Sequence, residues 1–232
     1  MRVKTHSSLI RSGPDREKSL LRTNITLLIA LLLLIFLMPV IPINLTLLNR
    51  TLLCLVVVSG LLAADFRSSI FRLLFGFASI VVAVTLLGLF FRHSDSMAYI
   101  TFSLNAVFFV VITIALIAHV AGASDVRTST LLCAVNSYLL IGLSLSMLFI
   151  ILELIVPSSF ALSGDPENMF STFLYYGFVT LTTLGYGDIL PLTALARSLA
   201  AFTALFGQLY LVIIMAFLIG KYSSAKKEGS ES

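Results

Sequence analysis

Two glycines one residue apart close a hydroxyl-rich run, Thr180-Leu181-Thr182-Thr183-Leu184-Gly185-Tyr186-Gly187-Asp188. On an ordinary extended strand successive carbonyls point in alternate directions. Alternating right- and left-handed backbone angles turn them all to one side, and glycine occupies the left-handed region without steric cost. Glycines at 185 and 187 fit that need, and Thr183 adds a hydroxyl oxygen at one end of the run. Repeated around an axis, such a strand offers stacked oxygens of modest field strength. That is the chemistry required to replace the water shell of a dehydrated alkali cation.

A ladder of this kind needs elements that hold it inside a membrane. The segment before it, residues 169–182, is apolar but short. At ~1.5 Å per residue it makes a helix of about 20 Å, too short for a hydrocarbon core of ~30 Å. It therefore reads as a re-entrant helix, which protein or a water-filled cavity must surround. Asp165 suits its N-cap, Pro166 its first position and Glu167 its positive dipole end, so that its negative end, near Thr182, aims at the ion path. Around it the apolar runs predict six membrane spans, at residues 24–41, 48–64, 70–91, 97–120, 131–156 and 193–221.

Composition agrees. The 232 residues are 59% hydrophobic and 11% charged, whereas a soluble domain carries about a quarter charged residues. The expected class is an all-α integral membrane protein. Of the 15 lysines and arginines, all but Arg50, Arg92 and Arg197 fall on one side of the predicted topology. The positive-inside rule then puts both termini in the cytoplasm and the re-entrant segment on the outer side, with Asp165, Glu167 and Asp188 at its mouth. The net charge of +4 is concentrated at the chain ends and is no nucleic-acid footprint. The first apolar run ends in Met38-Pro39-Val40-Ile41-Pro42 without a small-x-small site, so it reads as a retained span. Cys54 and Cys133 lie toward opposite membrane faces, where no disulfide between them is expected.

The run from Thr180 to Asp188 resembles the selectivity filter of the potassium-channel family, whose usual form is T-x-x-T-V-G-Y-G-D. Tyr175-Tyr176 stand where that family has an aromatic pair on its pore helix, and Asp188, Pro191, Thr193 and Arg197 fall where bacterial relatives carry similar residues. The resemblance covers roughly residues 153–221. It implies K⁺ as permeant ion, coordinated by the carbonyls of Thr183, Leu184, Gly185 and Tyr186 with the Thr183 hydroxyl, supported by Thr182, Gly187 and Asp188. It also implies a homotetramer, since one filter segment per chain requires four chains. The Tyr186 ring is expected to pack behind the strand and the Leu184 side chain, in place of valine, to face the pore helix. Val179 replaces a glutamate that braces the aspartate in some members, which leaves Tyr176 as a candidate partner for Asp188. Gly207, 20 residues after Gly187, resembles the inner-helix hinge glycine, although close helix packing explains a glycine there equally well. If it faces the pore, Leu211 and Met215 line the inner cavity.

The chain thus divides into a basic cytoplasmic N-terminus (1–23), a four-helix membrane region (24–130), a pore region (131–221) and a short cytoplasmic tail (222–232) expected to be disordered. The fourth span has no arginine or lysine between Met97 and His119, so no conventional voltage sensor is expected. His119 reads as an interface residue, and Glu153 as a structural acid pairing with the pore surround, for which Arg197 is the candidate. Gly142-Leu143-Ser144 reads as a small-residue patch for helix packing. Paired aspartates, metal-spaced histidines and a Ser/His arrangement are missing from the spans, which speaks against an intramembrane enzyme. No organic cofactor, nucleic acid or soluble regulatory domain is expected. A less selective channel of the same fold, or a non-conducting auxiliary subunit, remain the alternatives, all in the plasma or inner membrane.

Overall fold

A computed structural model describes residues 13–37, 46–64, 68–91, 94–123, 127–162 and 169–228. Among them are seven helices: α1 (Gly13–Leu37), α2 (Thr46–Ala63), α3 (Ser68–Leu87), α4 (Asp95–Gly122), α5 (Thr128–Ile155), α6 (Met169–Leu181) and α7 (Ala194–Glu228). Two-residue strands β1 (Phe160–Ala161) and β2 (Leu190–Pro191) pair antiparallel on either side of α6.

Four described stretches are long and apolar enough to cross a membrane: Glu17–Leu37, Asp95–Gly122, Thr128–Ile155 and Ala194–Lys221. The apolar parts of α2 and α3 are shorter, at Leu47–Ala63 and Phe71–Leu87. Helices thus occupy all six expected positions, but only four meet the length of a span.

Several boundaries differ from expectation. α1 begins at Gly13, so a good part of the basic N-terminal stretch is helical. The third helix stops at Leu87 rather than near 91, and the chain continues in tight turns from Leu86 to Leu89 and from Leu87 to Phe90. The tail expected to be disordered is helical through Glu228. Lys221-Tyr222-Ser223-Ser224-Ala225-Lys226-Lys227-Glu228 holds no proline and several good helix formers, so nothing local stops a helix already nucleated upstream.

α5 is the axle of the fold. It is apolar on all sides and packs against α1, α4, α6 and α7. One core, including Leu27, Leu31, Phe108, Phe109, Leu140, Met147, Phe149 and Phe173, runs from α1 to α6 without a break between residues 24–130 and 131–221. Small residues set the closest approaches. A Cβ on Gly142 would stand 2.6 Å from the Phe178 ring, and one on Gly177 2.0 Å from Ser146 Oγ. The patch at 142–144 is therefore a packing surface, as its residue types suggest.

Polar contacts tie the helix ends together. At one end of the bundle, Arg127 pairs with Glu17 at 2.6 Å, and Lys221 donates to the Ala121 and Ala123 carbonyls that close α4. The start of α1, the end of α4, the start of α5 and the end of α7 thus lie together. Near the other end Arg50 of α2 donates to the Thr85 carbonyl of α3 at 2.8 Å. Buried polar side chains tie the interior: Asn136 Nδ2 of α5 donates to the Asn24 carbonyl of α1 at 2.9 Å, and the Tyr210 hydroxyl of α7 donates to the Ala134 carbonyl at 2.7 Å. Cys133 is buried and donates to Asn24 Oδ1, and both cysteines are free thiols.

Candidate functional site

α6 sits between α5 and α7 with one face buried. Phe170, Phe173, Leu174, Tyr176, Gly177 and Leu181 form that face, at the three- and four-residue spacing of a helix. Phe149, Phe160, Phe173 and Tyr176 meet behind it, with ring centroids from 4.8 Å (Phe149–Tyr176) to 6.4 Å (Phe173–Tyr176). Phe160 belongs to β1, so the same cluster anchors the strand pair that bridges the two ends of the loop. The proposed N-terminal residues of this helix, Asp165, Pro166 and Glu167, lie outside the described residues.

The run after α6 takes the backbone form its glycines suggest. Gly185 has φ +53° and Gly187 φ +78°, both left-handed. Thr183 joins them at φ +60°, so left-handed angles recur at every second residue, at 183, 185 and 187. A β-branched residue there is strained, at a cost of order 1–3 kcal/mol. The strain is held from behind: the amide of Thr183 donates to Thr180 O (3.0 Å), and those of Leu184 and Gly185 both donate to Val179 O (2.9 and 3.3 Å). The Thr183 hydroxyl donates to Thr182 O at 2.7 Å.

The carbonyls from Thr183 to Gly187 accept no hydrogen bond from any described residue. Residues 182–188 are all exposed, Leu184 by 55% and Tyr186 by 67%. The expected packing of Tyr186 behind the strand and of Leu184 on the pore helix is thus not supplied by this chain. No group of three or more His, Cys, Asp or Glu among the described residues forms a metal site, so the backbone is the richest source of ligand oxygens here.

Three supporting residues fall elsewhere than expected. Asp188 is held by Tyr175, whose hydroxyl donates to Oδ2 at 2.8 Å, not by Tyr176. Tyr176 follows Phe173 on the buried face and points into the aromatic cluster, whereas Tyr175, about 100° around the helix, faces the loop. Glu153 does not pair with Arg197. Its two carboxylate oxygens accept from the Ser158 and Phe160 amides at 2.8 and 3.2 Å, clamping a turn in which Ser158 has φ +65°. Arg197 instead donates to Pro191 O at 3.3 Å, next to Thr193, which caps α7 by accepting from the Ala196 amide.

Gly207 faces protein. A Cβ there would stand 2.2 Å from the Leu181 carbonyl at the end of α6, so the glycine admits close contact between α7 and α6. Leu211 and Met215, expected to share its outlook, are exposed together with Val212. The reading of the sequence missed Gln208, whose Nε2 lies 3.4 Å from Thr183 Oγ1. An amide in the middle of an apolar span was the available signal.

Residues 138–223 match a family model described as an ion channel. No curated protein and no solved structure matches the chain. The family match begins within α5, takes in α6 and the loop after it, and ends within α7. It supports an ion channel in a multi-pass membrane protein, a transporting function rather than an enzymatic one.

Proposed function

We propose that the chain is one of four identical subunits around a K⁺-selective pore, with residues 183–187 lining the ion path. The observation that carries this reading is a run of exposed residues whose carbonyls accept no hydrogen bond from any described residue, on a backbone left-handed at 183, 185 and 187. Unpaired polar backbone is not tolerated against lipid, so at membrane depth it must face a water-filled conduit or other chains. α7 argues the same way. Phe202, Leu205, Phe206, Leu211 and Met215 are exposed and, at about 100° per residue, spread over more than half of its circumference, more apolar surface than lipid contact on one side requires.

Mechanistically, a hydrated K⁺ arriving from the cavity beside α7 exchanges water for the Thr183 hydroxyl and then for carbonyls 183–186 in turn. The negative end of α6 points at the start of this path and favours a cation there. Asp188, fixed by Tyr175, sets the acidic outer mouth. α2 and α3 complete six spans, with both termini cytoplasmic in the plasma or inner membrane. At 18 residues, α2 extends about 27 Å, close to the thickness it must cross. α4 carries no arginine or lysine, and Arg127 after it is tied to Glu17, so steep voltage dependence has no source.

A second reading is a less selective cation channel of the same fold. The exposed Leu184 favours it, because a side chain not seated on its own pore helix leaves the strand more freedom. Planar-bilayer recording of the purified protein in mixed K⁺ and Na⁺ separates the two. Selective conduction gives reversal near the K⁺ potential and shallow voltage dependence, and Gly185→Ala abolishes current because alanine is strained at φ +53°. Reversal midway between the ions supports the second reading. Persistent selective current in Gly185→Ala, or steep voltage-gated opening removed by Arg127→Gln, contradicts the proposal.

A further inference from the structure

From Ala200 to Gly220, α7 is apolar except for Thr203, Gln208 and Tyr210. Two of these are satisfied away from the loop. The Thr203 hydroxyl donates to Leu199 O within the helix, and the Tyr210 hydroxyl donates to Ala134 O of α5. Gln208 alone reaches toward the loop after α6. A carboxamide in a membrane helix is costly unless it meets a polar partner or water, so its position asks for a reason.

The geometry begins at the preceding residue. Because Gly207 has no Cβ, the α7 backbone closes on the Leu181 carbonyl. That contact brings residue 208 beside residue 183, with Gln208 Nε2 3.4 Å from Thr183 Oγ1. The Thr183 hydroxyl has already given its proton to Thr182 O at 2.7 Å. Its oxygen therefore meets Gln208 as an acceptor, and one lone pair remains for another partner.

Resting on the pore reading above, we infer that Gln208 is a positioning and specificity-determining residue for the innermost cation site. Its amide keeps the Thr183 hydroxyl turned with oxygen, not hydrogen, toward the ion path. It also draws electron density from that oxygen and lowers its field strength. A weaker-field ligand repays less of the larger dehydration cost of Na⁺ than a strong one does, so the site favours K⁺. Gly207 and Gln208 thus act as a pair, the glycine permitting the approach and the amide using it.

The test compares full-length wild type, Gln208→Leu and Gln208→Asn, the last keeping the amide on a stem too short to reach. In bi-ionic bilayer recordings both variants lower the K⁺/Na⁺ permeability ratio about fivefold, the scale of one neutral hydrogen bond. A merely structural role changes total current and assembly and leaves that ratio alone. Where a variant carries no current, calorimetric titration of K⁺ and Na⁺ into the same purified protein reads the affinity ratio, with the same drop expected. A wild-type ratio in either variant overturns the role of Gln208 while leaving the pore intact. A wild type that does not prefer K⁺ overturns the pore reading itself, and this inference with it.

Discussion

At the scale of single residues, the loop is a balance between strained angles and the bonds that hold them. Gly185 and Gly187 take left-handed angles at little cost, while Thr183 does so only because three amides and its own hydroxyl are tied to residues 179–182. Its left-handed angle was not legible in the sequence, since β-branching argues against it. Only the alternation started by the glycines pointed there. The choice between Tyr175 and Tyr176 was more nearly legible. Phe170, Phe173, Leu174 and Gly177 fix the buried face of α6, and Tyr176 falls on it, leaving Tyr175 to face Asp188. Tyr175→Phe removes that hydrogen bond and nothing from the core. The expected outcome is unchanged K⁺/Na⁺ reversal with current that decays about three- to tenfold faster after opening. Decay at the wild-type rate, measured in the same bilayers, denies the bond a role in holding the outer mouth.

At the scale of elements, length and hydropathy located every helix but not what its neighbours do with it. The shortness of α6, expected over 169–182 and found over Met169–Leu181, was readable from the apolar run alone. The clamp by Glu153 was not, because an acid at the end of a span is equally suited to an arginine or to backbone amides. The turn at Ser158, left-handed without a glycine to announce it, decided for the amides. Gly207 likewise fits a hinge or a packing site in sequence, and the Leu181 carbonyl 2.2 Å from its missing Cβ selects packing. Alanine there gains up to ~1 kcal/mol of helix propensity but forces α7 off α6, at a cost of about 1–3 kcal/mol. Gly207→Ala is therefore expected to lower the thermal unfolding midpoint of the detergent-purified protein. A midpoint equal to or above wild type, with altered open probability, shows a hinge instead.

At the scale of the whole molecule, the chain is well packed around α5 and poorly covered around α7 and the loop. Phe149, Met147 and Leu140 of α5 are fully buried, whereas residues 182–188 and much of α7 are exposed. Composition foretold a membrane protein, and the order of the predicted spans foretold that the start of α1, the end of α4, the start of α5 and the end of α7 come together. How the polar end contacts link them was beyond the sequence, because Arg127–Glu17 and Lys221–Ala121 join residues about a hundred apart in the chain. In the proposed tetramer, four copies bring the exposed loops together, cover α7 and leave a central path for an ion. The measurement that bears most directly on this assembly is a high-resolution structure of the purified protein in Rb⁺, with anomalous scattering to mark the ion. A fourfold particle is expected, with a column of Rb⁺ peaks on its axis bounded by the carbonyls of Thr183, Leu184, Gly185 and Tyr186. An isolated protomer, or a fourfold particle with those carbonyls turned from an empty axis, contradicts it.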